Sequence, residues 1–195
     1  MINQEKSLLR KVLPHLGAIL VFLLITFLYF SPVFEGKVLP QNDTHQFAGM
    51  SHELRNYYHN EGVSSAWTGS MFSGMPSYQI GVWGSNPNLI DYIEKPLRML
   101  GETTAGPVFA GMLMAYILLC VTGIGVFSSS IYKPTDSSFV LTSGFNVMPA
   151  ILGAIAFSLS SYNIIIIEAG HVTKAWAIAY MPVVIAGMMV MFRRK

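Results

Sequence analysis

The sequence predicts an all-α, polytopic transmembrane helical bundle of about four spans with a partly helical extracytoplasmic loop. Three observations carry this reading. Four stretches, Val12 to Phe34, Ala105 to Tyr132, Phe145 to Ile167 and Ala175 to Phe192, contain no Asp, Glu, Lys or Arg. About 20 apolar residues rising 1.5 Å each cross a hydrocarbon core of about 30 Å, and an ionisable side chain at its centre costs a few kcal/mol. The composition agrees, with 52% apolar and 11% charged residues and a mean hydropathy of +0.49, far from a soluble domain. Finally, basic residues gather at the borders of the apolar runs: Lys6, Arg10 and Lys11 precede the first, and Arg193, Arg194 and Lys195 follow the last.

These borders set the expected orientation. By the positive-inside rule both termini are cytoplasmic, and four spans, about 12–34, 105–127, 145–167 and 175–192, satisfy that parity. The loop 35–104 then lies outside, and the segment from Ser31 to Thr104 carries seven acidic residues against four basic ones. A membrane crossed several times, with both termini in the cytoplasm, is the expected location. The first apolar run is longer than a secretion-signal core, and no A-x-A-like site follows it, which argues against a cleaved leader. The net charge of +2 and the scatter of basic residues give no footprint for nucleic acid. Cys120, the single cysteine, can form neither an internal disulfide nor a thiolate metal site.

Taken in order, the first span carries Pro14, which is tolerated in the first turn of a helix, and ends at Ser31-Pro32. Its aliphatic and aromatic run, Ile19 to Phe30, suits contact with lipid. In the loop, Phe47, Met50, Leu54 and Tyr57 recur at helical spacing, so an amphipathic surface helix is predicted from Thr44 to His59, with Asn42 or Asp43 as N-cap. A second is predicted from Asn88 to Leu100, with Pro96 as a point of interruption. Between them, Trp67 to Gly84 reads as turns with packed rings. In the second span Gly106, Gly111, Gly123 and Gly125 would allow close helix contact. The third ends in Ser158, Ser160, Ser161 and Tyr162, hydroxyls that suit packing against another helix or contact with a substrate. Pro182 would kink the fourth. The segment Ser128 to Gly144 is longer than a tight cytoplasmic turn and reads as an insertion or a mobile loop.

Few residues remain for chemistry. Glu168 to Lys174, EAGHVTK, joins the third and fourth spans and holds Glu168, His171 and Lys174 close together at the membrane boundary, where partial desolvation strengthens contact with an anionic or hydroxylated ligand. The alternative is that Glu168 and Lys174 mark helix ends and snorkel to water. Asp43, just outside the first span, either caps a helix or serves as a carboxylate that deprotonates a hydroxyl or binds a cation. If Asp43 and the 168–174 turn form one site, they face a shared cavity. His45, His52 and His59 are seven apart, about 10 Å along a helix, too far to ligate one ion. No metal site, cofactor motif or phosphate loop is read from the sequence.

Three strings, LPHLGAILVFLLITFLYFSPVFEGKVLPQNDTHQFAGM (Leu13 to Met50), WTGSMFSGMPSYQI (Trp67 to Ile80) and GAIAFSLSSYNIIIIEAGHVTKAWAIAYMPVVIAG (Gly153 to Gly187), resemble the YfhO-type family of bacterial membrane proteins, in the form found in Bacteroidetes-like bacteria. Family members are longer, so the resemblance implies the N-terminal portion of a larger protein. That family is similar to glycosyltransferases of the GT-C superfamily, which take sugar from a polyprenyl-phosphate donor outside the membrane. The resemblance implies that Asp43 is the general base for an acceptor hydroxyl in an inverting displacement that glycosylates an envelope glycan or lipid. Placement, not a family motif, nominates Lys174, His171 and Arg55 for the donor phosphate, with Glu168 beside them. Asp43 is followed by Thr44 and His45, so a paired Asp-x-Asp is absent and a divalent cation lacks support. The alternatives are a non-catalytic envelope accessory protein, a lipid-linked-sugar transporter, or an incomplete chain without activity.

Overall fold

The computed structural model describes residues 2–81, 89–123 and 147–193. The 128–144 segment read as an insertion, Gly125 and Trp83 lie outside the described residues. Most of the described chain is helical: α1 (Ile2–Tyr29), α2 (Ser31–Phe34), α3 (Asn42–Met50), α4 (His52–Glu61), α5 (Leu89–Arg98), α6 (Ala105–Thr122), α7 (Met148–Ser158), α8 (Ser161–Ala169) and α9 (Val172–Arg193). A two-stranded antiparallel hairpin, β1 (Trp67–Thr68) with β2 (Met75–Pro76), pairs Trp67 with Pro76 and Thr68 with Met75. Four segments, Val12–Tyr29, Ala105–Thr122, Met148–Ala169 and Val172–Phe192, are long and apolar enough to cross a membrane.

α6 is the central helix, with 61% of its span buried against 17% for that of α1. Its neighbours are α7, α9 and α1. The core gathers Ala18 and Phe22 of α1, Val108, Phe109 and Met112 of α6, Ala150 and Ala154 of α7, and Ala175 of α9. Small residues make the closest approaches, as expected where lipid leaves no hydrophobic drive between helices. A Cβ on Gly111 would stand 2.6 Å from Ser158 Oγ and 3.9 Å from Ala179 Cβ. Gly123 works differently from the sequence expectation, ending α6 at φ +78°.

Three boundaries depart from the sequence reading. α1 begins at Ile2, so Pro14 is a residue of the helix interior and not of its first turn; Glu5, Lys6, Leu8, Leu9, Arg10 and Lys11 are good helix formers and extend the helix before the apolar run. The surface helix expected from Thr44 to His59 is two helices that part at Ser51. Its buried hydroxyl donates to Phe47 O at 2.7 Å, the back-bonding that bends helices. The third span is also divided, between Ser158 and Ser161. Its break is satisfied internally, as a membrane requires: Asn163 Nδ2 donates to Phe157 O at 2.9 Å and Ser158 O at 3.4 Å. Ser158 Oγ donates to Val108 O at 2.6 Å, so this hydroxyl packs on α6.

Candidate functional site

α1 delivers the chain to one end of the bundle, where α3, α4 and α5 lie, and the turn from α8 to α9 returns to that same end. Gln41 fastens the two together. Its buried Nε2 donates to Ile167 O at 2.5 Å and to Thr103 O at 3.2 Å, and its Oε1 accepts from Thr44 Oγ1 at 3.2 Å. One amide thereby joins the segment after α2, the approach to α6 and the end of α8. A glutamine supplies two donors and an acceptor in one plane, which is what three separate backbone and hydroxyl partners need.

Gly170 makes the turn possible. It ends α8 at φ +96°, with its N–H on Ile166 O and Ile167 O, the left-handed closure for which glycine is suited. A Cβ there would lie 3.0 Å from both Thr44 N and Thr44 Oγ1 and 3.1 Å from Gln41 Cβ. The turn therefore packs directly on the first turn of α3. α9 starts two residues later, after His171.

This close approach sets Asp43 against His171, Oδ2 to Nδ1, at 3.0 Å. Both side chains stay about half exposed, 42% and 51% respectively, so the pair is formed without being closed to solvent. Asp43 lies in the first turn of α3 and is not its N-cap, which is Gln41. Its charge there is favourable to the helix dipole, and its carboxylate reaches outward to the imidazole. Lys174, in the first turn of α9 and three residues after His171, holds its ammonium 5.1 Å from the Tyr162 ring centroid. Glu168 is exposed in the last turn of α8, and Arg55 is half-buried on α4, beyond the Ser51 bend. Asp43 and His171 are thus in contact, Lys174 turns to the Tyr162 ring of α8, and Glu168 and Arg55 belong to separate helices. His45, His52 and His59 are exposed. Among the described residues no group of three His, Cys, Asp or Glu side chains is placed to hold a metal.

Two anchoring networks escaped the sequence reading. Glu53 of α4 accepts from Thr68 Oγ1 at 2.5 Å, Gly69 N at 3.1 Å and Ser70 N at 2.8 Å, which clamps the hairpin to the helix. These donors, Thr68 first, hold its carboxyl below the ordinary value of 4.5. Arg98 of α5 pairs with Glu94 at 2.8 Å and Glu102 at 2.7 Å and covers the Trp176 ring at 4.9 Å, while Trp176 Nε1 donates to Glu102 O at 2.9 Å. α5 is therefore fixed to the start of α9. A shallow depression of about 480 Å³ on α5 is lined by Glu94, Lys95, Arg98 and Met99, and none of the Asp43, His171 and Lys174 side chains belongs to it.

Comparison with protein-family models, curated proteins and solved structures found no match to this chain.

Proposed function

We propose that this is a membrane glycosyltransferase of the GT-C kind, as the YfhO-type resemblance implies, using a polyprenyl-phosphate-linked sugar at the outer leaflet of a bacterial cytoplasmic membrane. The observation that carries the reading is the half-exposed Asp43–His171 contact, 3.0 Å long, at the end of the bundle where the long loop meets the 170–171 turn. In this reading that end faces outward and the acceptor is an envelope glycan or lipid.

The reaction forms a bond from the acceptor oxygen to the anomeric carbon and breaks the bond from that carbon to the donor phosphate. Asp43 takes the acceptor proton as the oxygen attacks, and polyprenyl phosphate leaves from the opposite face, so configuration inverts. General-base assistance of this type is worth typically 10²–10⁴-fold. His171 orients the carboxylate, and Lys174 supplies a positive charge for the leaving phosphate. Partial desolvation near the bilayer strengthens that attraction.

The test is Asp43→Asn in the full chain, reconstituted in nanodiscs with a panel of polyprenyl-phosphate hexoses and assayed for released polyprenyl phosphate. The expected result is a loss of at least 100-fold in turnover, the low end of what a general base contributes, with donor binding retained. Equal turnover in wild type and variant, or no turnover with any donor despite binding, overturns the reading in favour of an accessory protein or transporter.

A further inference from the structure

The hairpin of β1 and β2 carries a feature that the Asp43–His171 site does not use. Met71 O accepts from Gly74 N at 2.8 Å, closing a turn whose two central residues, Phe72 and Ser73, have φ +50° and +59°. Such a turn ordinarily takes Asn-Gly, because side chains clash in the left-handed region. Here a phenylalanine occupies it and is 83% exposed. Strain held in place at a loop tip is a pointer to function, since burial gives no reason for this ring to be there.

Trp67 packs on Gly74, the last residue of the same turn. Its Nε1 lies 2.6 Å from where a Cβ of Gly74 would be, so the ring rests on a bare backbone while 57% of the residue stays exposed. The Glu53 clamp on Thr68, Gly69 and Ser70 fixes the base of the hairpin on α4. Exposed Ser70 and Ser73 bracket Met71 and Phe72 in the turn, and no Asp, Glu, Lys or Arg occurs between Glu61 and Asp91.

We propose that this hairpin is a binding platform for a neutral glycan, with Trp67 and Phe72 stacking on sugar rings. The negative face of an aromatic ring attracts the C–H face of a pyranose, and neighbouring hydroxyls exchange hydrogen bonds with its rim. The uncharged segment gives no attraction to a phosphate, so the ligand differs from the lipid-linked donor. A bilayer-inserting tip would present a contiguous apolar patch, whereas here only Met71 and Phe72 stand between Ser70 and Ser73. From Asp43 to Glu53 the chain advances ten residues through α3 and α4, at most about 15 Å at helical rise and less across the Ser51 bend, a span that a short oligosaccharide covers. Naming this glycan the acceptor rests on the glycosyl-transfer reading; the binding itself does not.

The experiment is a titration of the full chain in nanodiscs with cellotetraose, chitotetraose and maltotetraose, followed by calorimetry and tryptophan emission. Saturable binding of at least one, weakened tenfold or more in Trp67→Ala and in Phe72→Asn, is expected. Phe72→Asn suits the turn better than the native residue, so its loss of binding is not a loss of folding. If the wild type binds a glycan while it turns over none of the donors, the platform stands and the enzymatic reading falls. Absence of binding to all three, or strong quenching of the Trp67 share of emission (wild type minus Trp67→Phe) by bilayers of brominated phosphatidylcholine, overturns the proposal, the latter because the rings would then sit in lipid.

Discussion

Gly170→Ala tests whether the long loop and the α8–α9 turn are joined as described. Alanine meets two penalties there. The residue holds φ +96°, and a left-handed conformation costs a non-glycine residue roughly 1–2 kcal/mol. Its Cβ would also lie 3.0 Å from Thr44 N, a backbone atom that cannot rotate away, and overpacking of this kind costs about 1–3 kcal/mol. Together they amount to about 3 kcal/mol, which for a chain of this size corresponds to roughly 6–12 °C in unfolding midpoint. The assay is thermal unfolding in detergent, read by a thiol-reactive dye, for which Cys120 is the sole target in the chain. Gly187→Ala is the control: a Cβ there meets nothing within 4 Å, and alanine is the better helix former by about 1 kcal/mol. If Gly170→Ala melts together with Gly187→Ala, the turn does not press on Thr44 and the argument for an assembled site collapses.

Two further outcomes follow from polar contacts. The carboxyl of Glu53 titrates below 4.5 because its charged form accepts hydrogen bonds from Thr68, Gly69 and Ser70. With the folded value depressed, its stabilisation is fully present above about pH 4.5 and is lost as pH falls through the folded value. The Trp67 share of emission, wild type minus Trp67→Phe, should therefore change in acid, and Glu53→Gln should abolish that change; an unaltered acid transition in Glu53→Gln refutes the clamp. Within the bundle, Tyr116 Oη lies 2.7 Å from His15 Nδ1. Tyr116→Phe should lower stability by about 0.6 kcal/mol, the usual worth of an interhelical hydrogen bond in a membrane, measured by reversible unfolding in mixed micelles; a variant more stable than wild type contradicts the contact.

The membrane-spanning architecture was legible because a charge-free apolar run of some 20 residues matches the thickness of a hydrocarbon core and rarely arises in a soluble domain. Breaks within helices were not. Ser51 and the Ser158 to Ser161 segment contain neither glycine nor proline, and what divides the helices is a hydroxyl bonded back to Phe47 O in one case and an amide reaching Phe157 O and Ser158 O in the other. Such bonds depend on rotamers that spacing does not encode. Asp43 and His171 stood out as scarce ionisable groups beside apolar runs. Their meeting depends on Gln41 and Gly170, an amide and a bare Cα whose partners are distant in sequence, and neither carries a local signature of that role. The Glu53 clamp was equally hidden, since a surface glutamate on an amphipathic helix ordinarily faces water.

The division of the third span has a mechanical consequence. α7 rides on α6, whereas α8 is tied through the Ile167 carbonyl to Gln41 and so to the chain outside the bundle. A push on α3 would be inherited first by α8 and would reach α7 across the break at Ser160, which the Asn163 amide bridges. The span is a jointed rod, one arm held by α6 beside it and the other also by Gln41 of the chain outside the bundle.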